Sequence, residues 1–132
     1  MKVVDTTFII SLLRNDSRAL EKAGELDEEG GAATTVVNVF EAAFGVYSSL
    51  TRTEERLEAL GRVLSNLEIL SLDCRAAIKA AEISATLEKR GVGLDPFDAL
   101  VAAITLANGA ESLVTRNTSH FQGIRGLRLE EH

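Results

Sequence analysis

The sequence predicts an α/β fold of βαβ units around a mostly parallel sheet. Three observations carry this expectation. Short apolar runs alternate with longer stretches of helical periodicity. Glycines and one proline, Pro96, fall between these runs rather than inside them. Isolated acids stand at the ends of the apolar runs or in the helices behind them, where open α/β sheets build their sites.

Lys2–Asp5 reads as a short buried strand, followed at once by a helix over Thr6–Arg14. Ser17–Glu29 is a polar helix stopped by Gly30-Gly31. Ala32–Thr35 forms a second strand. Val36–Leu50 is helical, with Val36, Phe40, Ala43, Phe44 and Tyr47 on one face. Thr53–Asn66 places Leu57, Leu60, Leu64 and Leu67 on one amphipathic face. Glu68–Leu72 is a third strand and Cys74–Arg90 a long helix closed by Gly91. Asp95–Asn108 is a helix with Pro96 in its first turn and Gly109 after its end. Ser112–Thr115 is the fourth strand and Leu127–Leu129 a weak fifth.

The chain has 132 residues, enough for one domain over 1–132 with a single core. Its 45% hydrophobic and 26% charged content is that of a globular protein, and with few aromatics the core is mainly aliphatic. Cys74 is alone, so neither a disulfide framework nor a cysteine zinc site is expected. The start lacks a signal-peptide pattern, and Gly31–Leu50 is too polar to read as a membrane span, so a cytoplasmic protein without membrane association is expected. A formal charge of −6 argues against a passive nucleic-acid binder, which would be basic. It leaves open an enzyme that meets nucleic acid through a bound cation and local arginines.

The informative residues are acids in apolar surroundings. Glu41 is the only charge between Gly31 and Leu50, Asp5 ends the first strand, and Asp95 and Asp98 are the only charges between Gly91 and Ala110. A carboxylate in a core segment costs several kcal/mol, roughly, unless it is paired. No lysine or arginine lies in the stretches around Glu41 and Asp98, so a divalent cation is the simplest shared partner. Each acid also has a plainer reading. Asp5 serves as a helix N-cap, Asp98 as favourable charge in a first turn, and Glu41 as an exposed residue on a half-buried helix. Asp95 reads as the N-cap of its helix, Asn117 as a turn former, His120 as an exposed loop residue and Arg116 as half of a surface ion pair.

Taken together, Asp5-Thr6-Thr7, the lone Glu41, Asp98-Ala99-Leu100-Val101-Ala102-Ala103 and Leu113-Val114-Thr115-Arg116-Asn117 followed by Phe121 resemble the motifs of PIN-domain ribonucleases. The length resembles the VapC-type toxins of toxin–antitoxin pairs. The resemblance implies a three-layer α/β/α sandwich with about five strands. It also implies RNA cleavage dependent on Mg²⁺ or Mn²⁺, in which a metal-activated water hydrolyses the phosphodiester. Homodimerisation and inhibition by a VapB-type antitoxin follow as expectations. Asp5, Glu41 and Asp98 match the family's acidic metal positions and are expected to converge on one cation. Asn117 stands where a fourth acid is often found, and Thr6 and Thr115 are expected to support the ligands. An antitoxin segment is expected in a groove lined by Phe8, Leu12, Phe44 and Tyr47.

Other readings are a PIN-type RNA-processing nuclease and a catalytically weak binding module of the same fold. A receiver-like domain is disfavoured by the lack of a second acid beside Asp5 and of any lysine beyond Lys89. A dehalogenase-like phosphatase is disfavoured by Thr7, which stands where its second aspartate is needed.

Overall fold

The computed structural model describes all of residues 1–132. Its elements in chain order are β1 (Lys2–Val4), α1 (Thr6–Leu13), α2 (Ser17–Glu28), β2 (Ala32–Thr35), α3 (Val36–Tyr47) and α4 (Thr53–Ser65). These are followed by β3 (Leu67–Leu70), α5 (Cys74–Lys89), α6 (Pro96–Ala107), β4 (Ser112–Thr115), a 3₁₀ turn over Thr118–Phe121 and β5 (Leu129–Glu131). The five strands form one sheet in the order β3-β2-β1-β4-β5, and every pairing is parallel. The strand order reverses beside β1, because β2 and β3 extend the sheet on one side and β4 and β5 on the other. That reversal opens a crevice at the carboxyl ends of β1 and β4.

Alternation along the strands distributes the core between the two faces. Val3 and Leu113 point to the layer formed by α5 and α6, where they meet Ile83, Leu87, Val101 and Ile104. Val4 and Val114 point to the other layer, against Phe8 of α1 and Ala19 and Leu26 of α2. Helices on both faces make the three-layer sandwich. Ala76, Ala80, Ile83 and Leu87 recur at helical spacing and form the buried stripe of α5.

Several boundaries and one helix phase differ from the sequence expectation. Strand β5 is Leu129–Glu131, two residues later than Leu127–Leu129, because Thr115 pairs with Glu131 and Leu113 with Leu129. Leu67 opens β3 instead of closing the leucine stripe of α4, since β3 begins where Leu67 pairs with Ala32.

The face of α3 bearing Val36, Phe40, Phe44 and Tyr47 is turned outward, and Val37, Asn38, Ala42 and Val46 are buried instead. The expected groove with Phe8, Leu12, Phe44 and Tyr47 as its walls is therefore not formed, and the depression that does lie between α1 and α3 is lined by Ile10, Leu13, Ala42, Gly45 and Val46. Ile9 of α1, one residue on from Phe8, faces Ala42 and Val46 of α3 and Leu60 of α4 and fills the contact. Phe8 lies on the opposite side of α1, under α2, and cannot share a groove with Phe44.

Candidate active site

Asp5 sits where β1 turns into α1 without an intervening residue. Its backbone N–H still donates to Val114 O (3.1 Å), as a strand residue would, while its carbonyl already accepts from Ile9 N (3.2 Å). Its side chain caps α1. Oδ1 accepts from the N–H groups of Thr7 (3.0 Å) and Phe8 (3.3 Å) and from the Thr7 hydroxyl. All of these bonds fall on Oδ1, so the cap satisfies a buried carboxylate while Oδ2 makes no bond to the protein. The capping and site readings of Asp5 are thus compatible.

Glu41 lies on α3, one turn after Asn38. Thr6 Oγ1 donates to Glu41 Oε1 (2.7 Å) and accepts from Asn38 Nδ2 (2.9 Å). Asn38 is buried, and its Oδ1 accepts from Thr35 Oγ1 (2.8 Å). A line of hydrogen bonds therefore runs from the end of β2 through Asn38 and Thr6 to Glu41. Asn38 and Thr7 are site residues that the sequence reading missed. Asn38 carried a usable signal, being a polar residue one helical turn from Glu41 in an otherwise apolar segment.

Asp98 and Asp95 come from the start of α6. Asp95 caps the helix by accepting from Phe97 N (2.8 Å) and Asp98 N (3.4 Å), as its position predicted. Asp98, in the first turn, is directed into the crevice. His120 Nδ1, from the turn after β4, lies 3.6 Å from Asp98 Oδ2, although the ring itself is mostly exposed.

Asp5, Glu41, Asp95 and Asp98 line one cleft of about 610 Å³, together with Thr6, Asn38, Asn117 and His120 and with no lysine or arginine in its wall. Burial is the main cause pushing Asp98 up to about 6. Asp95 pushes in the same direction, His120 opposes it, and Glu41 and Asp5 add to it. Burial also raises Glu41, against the Thr6 hydrogen bond, with Asp5 and Asp95 adding to the rise. These acids repel one another, and their environment favours a positive guest.

The three expected acids lie together in the cleft, and Thr115 lies outside its lining. Asp5, Glu41 and Asp98 share the cleft, but no three acidic, histidine or cysteine side chains approach closely enough to form a closed coordination set. Asp5 is held by bonds within its own turn and Glu41 by Thr6 of the neighbouring helix α1, whereas the Asp98 carboxylate has only His120 Nδ1 near it, at 3.6 Å. Thr115 does not reach the acids. Its buried hydroxyl accepts from Asn117 N (3.0 Å) and shapes the turn that brings Asn117 to the rim. Arg116 pairs with Asp16 (3.2 Å). Its backbone N–H donates to Thr7 Oγ1 (3.0 Å), tying the end of β4 to α1.

The donor set nevertheless fits a hard divalent cation. All the donors are oxygens, and Mg²⁺ or Mn²⁺ keeps several waters and needs only one or two direct carboxylates. A tightly caged zinc ion would need a closed set of nitrogen or sulfur ligands, which the cleft lacks.

A parallel sheet with an acid-lined crevice at its switch point is an architecture on which cation-assisted phosphoryl chemistry can be built. The PIN-domain family model matches residues 2–126. Ribonuclease VapC2 of Rickettsia felis is 31% identical over 98 residues, covering 74% of this chain and 72% of that protein. The tRNA(fMet)-specific endonuclease VapC of Shigella flexneri is 27% identical over 129 residues, 98% of this chain and 96% of that one. Among solved structures, DNA-bound VapBC from Salmonella typhimurium superposes with a TM-score of 0.86 at 27% identity, covering 98% of this chain and 96% of that one. VapBC2 from R. felis, bound to a DNA fragment from its promoter, shares the fold at a TM-score of 0.91 and 24% identity, covering 99% and 98%. The chain belongs to the PIN-domain family, among the VapC-type ribonuclease toxins of VapBC toxin–antitoxin systems.

Proposed function

We propose that this chain is a Mg²⁺- or Mn²⁺-dependent endoribonuclease acting in the cytoplasm, with Asp5, Glu41 and Asp98 as the catalytic, metal-binding acids. The observation that carries this reading is the cleft itself, which gathers four carboxylates and no lysine or arginine at the switch point of the sheet. When bound there, the cation lowers the pKa of a coordinated water and offsets charge on the scissile phosphate.

The protein's part is to hold oxygens in place. The N-terminal N–H groups of α1 and the Thr7 hydroxyl fix Asp5 through Oδ1, leaving Oδ2 for the cleft. The Thr6 hydroxyl fixes Glu41, and buried Asn38 fixes Thr6. Asn117 lies at the rim, where its neutral amide can hydrogen-bond a phosphate or a water without serving as a base.

The names of two relatives make tRNA(fMet) the first RNA to try as substrate. VapBC complexes among the structural relatives support an antitoxin partner, and exposed Phe40, Phe44 and Tyr47 offer an apolar surface for an antitoxin or a second copy. Purified protein incubated with tRNA is expected to cut it with Mn²⁺ and to stop when EDTA is added. Co-expression with the adjoining antitoxin gene is expected to suppress cleavage. Metal-independent cleavage, or no cleavage of total RNA with Mn²⁺, rejects the assignment.

A further inference from the structure

The acidic cleft has no lysine or arginine to attract the rest of an RNA chain. A polyanion entering it meets four carboxylates, and a bound cation answers only the charge at the scissile position. Phosphates on either side need cations supplied from next door.

One neighbouring depression of about 260 Å³ has them. Lys79 and Arg90 from α5 and its end, and Arg125 from the loop before β5, line it with one acid, Glu82. Glu82 is engaged by Lys79 at 2.8 Å, whereas neither Arg90 nor Arg125 takes part in any ion pair. Both guanidinium groups are therefore free to meet a ligand, in a chain whose net charge is −6. Two further depressions hold Arg14 and Arg56 in one case and Arg62 in the other, and neither shares a lining residue with the cleft.

The depression adjoins the acidic cleft. Leu87 forms a wall of both. The two segments that carry the arginines also run on into the cleft. Val92, two residues after Arg90, lines the cleft, and so does Gln122, three residues before Arg125. Two residues span at most about 7 Å of chain, so Arg90 stands at the cleft's border. Arginine matches this task, because its planar fork binds phosphate oxygens two at a time.

We propose that Arg90 and Arg125 form a phosphate-binding track that holds the RNA backbone beside the scissile bond. This inference rests on the ribonuclease reading for its choice of ligand. RNA is favoured over an acidic antitoxin segment because the two arginines stand beside the cleft where a cut phosphate must sit.

The test is binding of a single-stranded RNA oligonucleotide in EDTA, followed by fluorescence anisotropy across a salt series. Without metal, the measurement is independent of cleavage. The double variant R90A/R125A is expected to weaken binding by about 10-fold at 0.1 M salt. It should also reduce the salt slope by about 1.4, since each phosphate contact on a single strand contributes about 0.7. R90K/R125K keeps the charges and should retain most of the slope, and R18A, an exposed arginine on α2, should change neither quantity. An unchanged slope in R90A/R125A, or an equal loss in R18A, overturns the proposal. Loss of antitoxin affinity with unchanged RNA binding overturns it too, and makes the groove a protein-docking site. If wild-type protein cuts no RNA with Mn²⁺ while the arginines still govern binding in EDTA, the track stands and the nuclease reading fails.

Discussion

Two groups of acids in this chain are held in opposite electrostatic states. Glu130 of β5 accepts from Lys22 of α2 and from the Ser112 hydroxyl (3.1 Å), and pairs with Lys2 (3.1 Å), which also reaches Glu29 (3.1 Å). The hydrogen bond from Lys22 is the largest cause holding Glu130 down at about 2, and Glu130 in turn raises Lys2 and Lys22. Asp98 in the cleft has three acids for neighbours and one exposed histidine, and is pushed up to about 6. The Glu130 group is internally neutralised and ties β1, β5 and α2 together. The cleft is left with excess negative charge, which costs stability and creates affinity for a cation. Burial pushes both acids up and is the main cause at Asp98, where the neighbouring acids add to it; at Glu130 the hydrogen bonds from Lys22 and Lys2 outweigh it.

The comparison breaks most sharply at Asp98. D98N is expected to reduce Mn²⁺-dependent cleavage by about 10³-fold, equivalent to ~4 kcal/mol of transition-state stabilisation. Metal-free protein should melt a few degrees higher, because carboxylate repulsion is relieved. Cleavage at the wild-type rate by purified D98N would remove Asp98 from the mechanism.

Glu130 should behave in the reverse manner. E130Q leaves Lys2 and Lys22 without their shared partner and is expected to destabilise the fold by about 1–2 kcal/mol, lowering Tm by about 5 °C. Its specific activity at 25 °C should stay at the wild-type level. A loss of cleavage without a loss of stability in E130Q would show that the two acid groups are coupled.

The smallest effect sharpens the contrast through pH. Asp98 has a folded pKa above its unfolded value, so the native state binds the extra proton, and stability falls as pH rises from 3.8 to about 6. Glu130 has a folded pKa below its unfolded value, so its contribution is present above 4.5 and disappears as pH falls toward about 2. Melting curves between pH 4 and 6 should show a decline about 1 kcal/mol larger in wild type than in D98N, which keeps the smaller decline from Glu41. Saturating Mn²⁺ should erase the decline by competing with the proton. A slope of wild-type size in D98N would assign the titration to another group.

Much of the fold was legible because its signals are local. Helical periodicity and glycine stops located every helix to within a few residues, and Ala32–Thr35 and Ser112–Thr115 appear as predicted. The alternation of strands and helices pointed to a parallel sheet. The isolation of Asp5, Glu41 and Asp98 singled out three of the acids that line the cleft. A charge in an apolar segment is visible without knowing what surrounds it in space.

Rotation and pairing were not legible in this way. Both faces of α1 and α3 are rich in apolar residues, so periodicity could not decide whether Phe8 or Ile9 meets α3, or whether Phe44 or Val46 turns inward. Packing settled both choices, and with them the loss of the expected antitoxin groove. The start of β5 was fixed by its pairing with β4, which a weak apolar run cannot specify. The sequence by itself singled out three of the acids that line the cleft, because the cost of burying a charge is set by the residue and its neighbours along the chain. Only the tertiary structure decided which hydroxyls and amides hold them, because the links from Thr6 to Glu41 and from Asn38 to Thr6 join residues more than thirty positions apart.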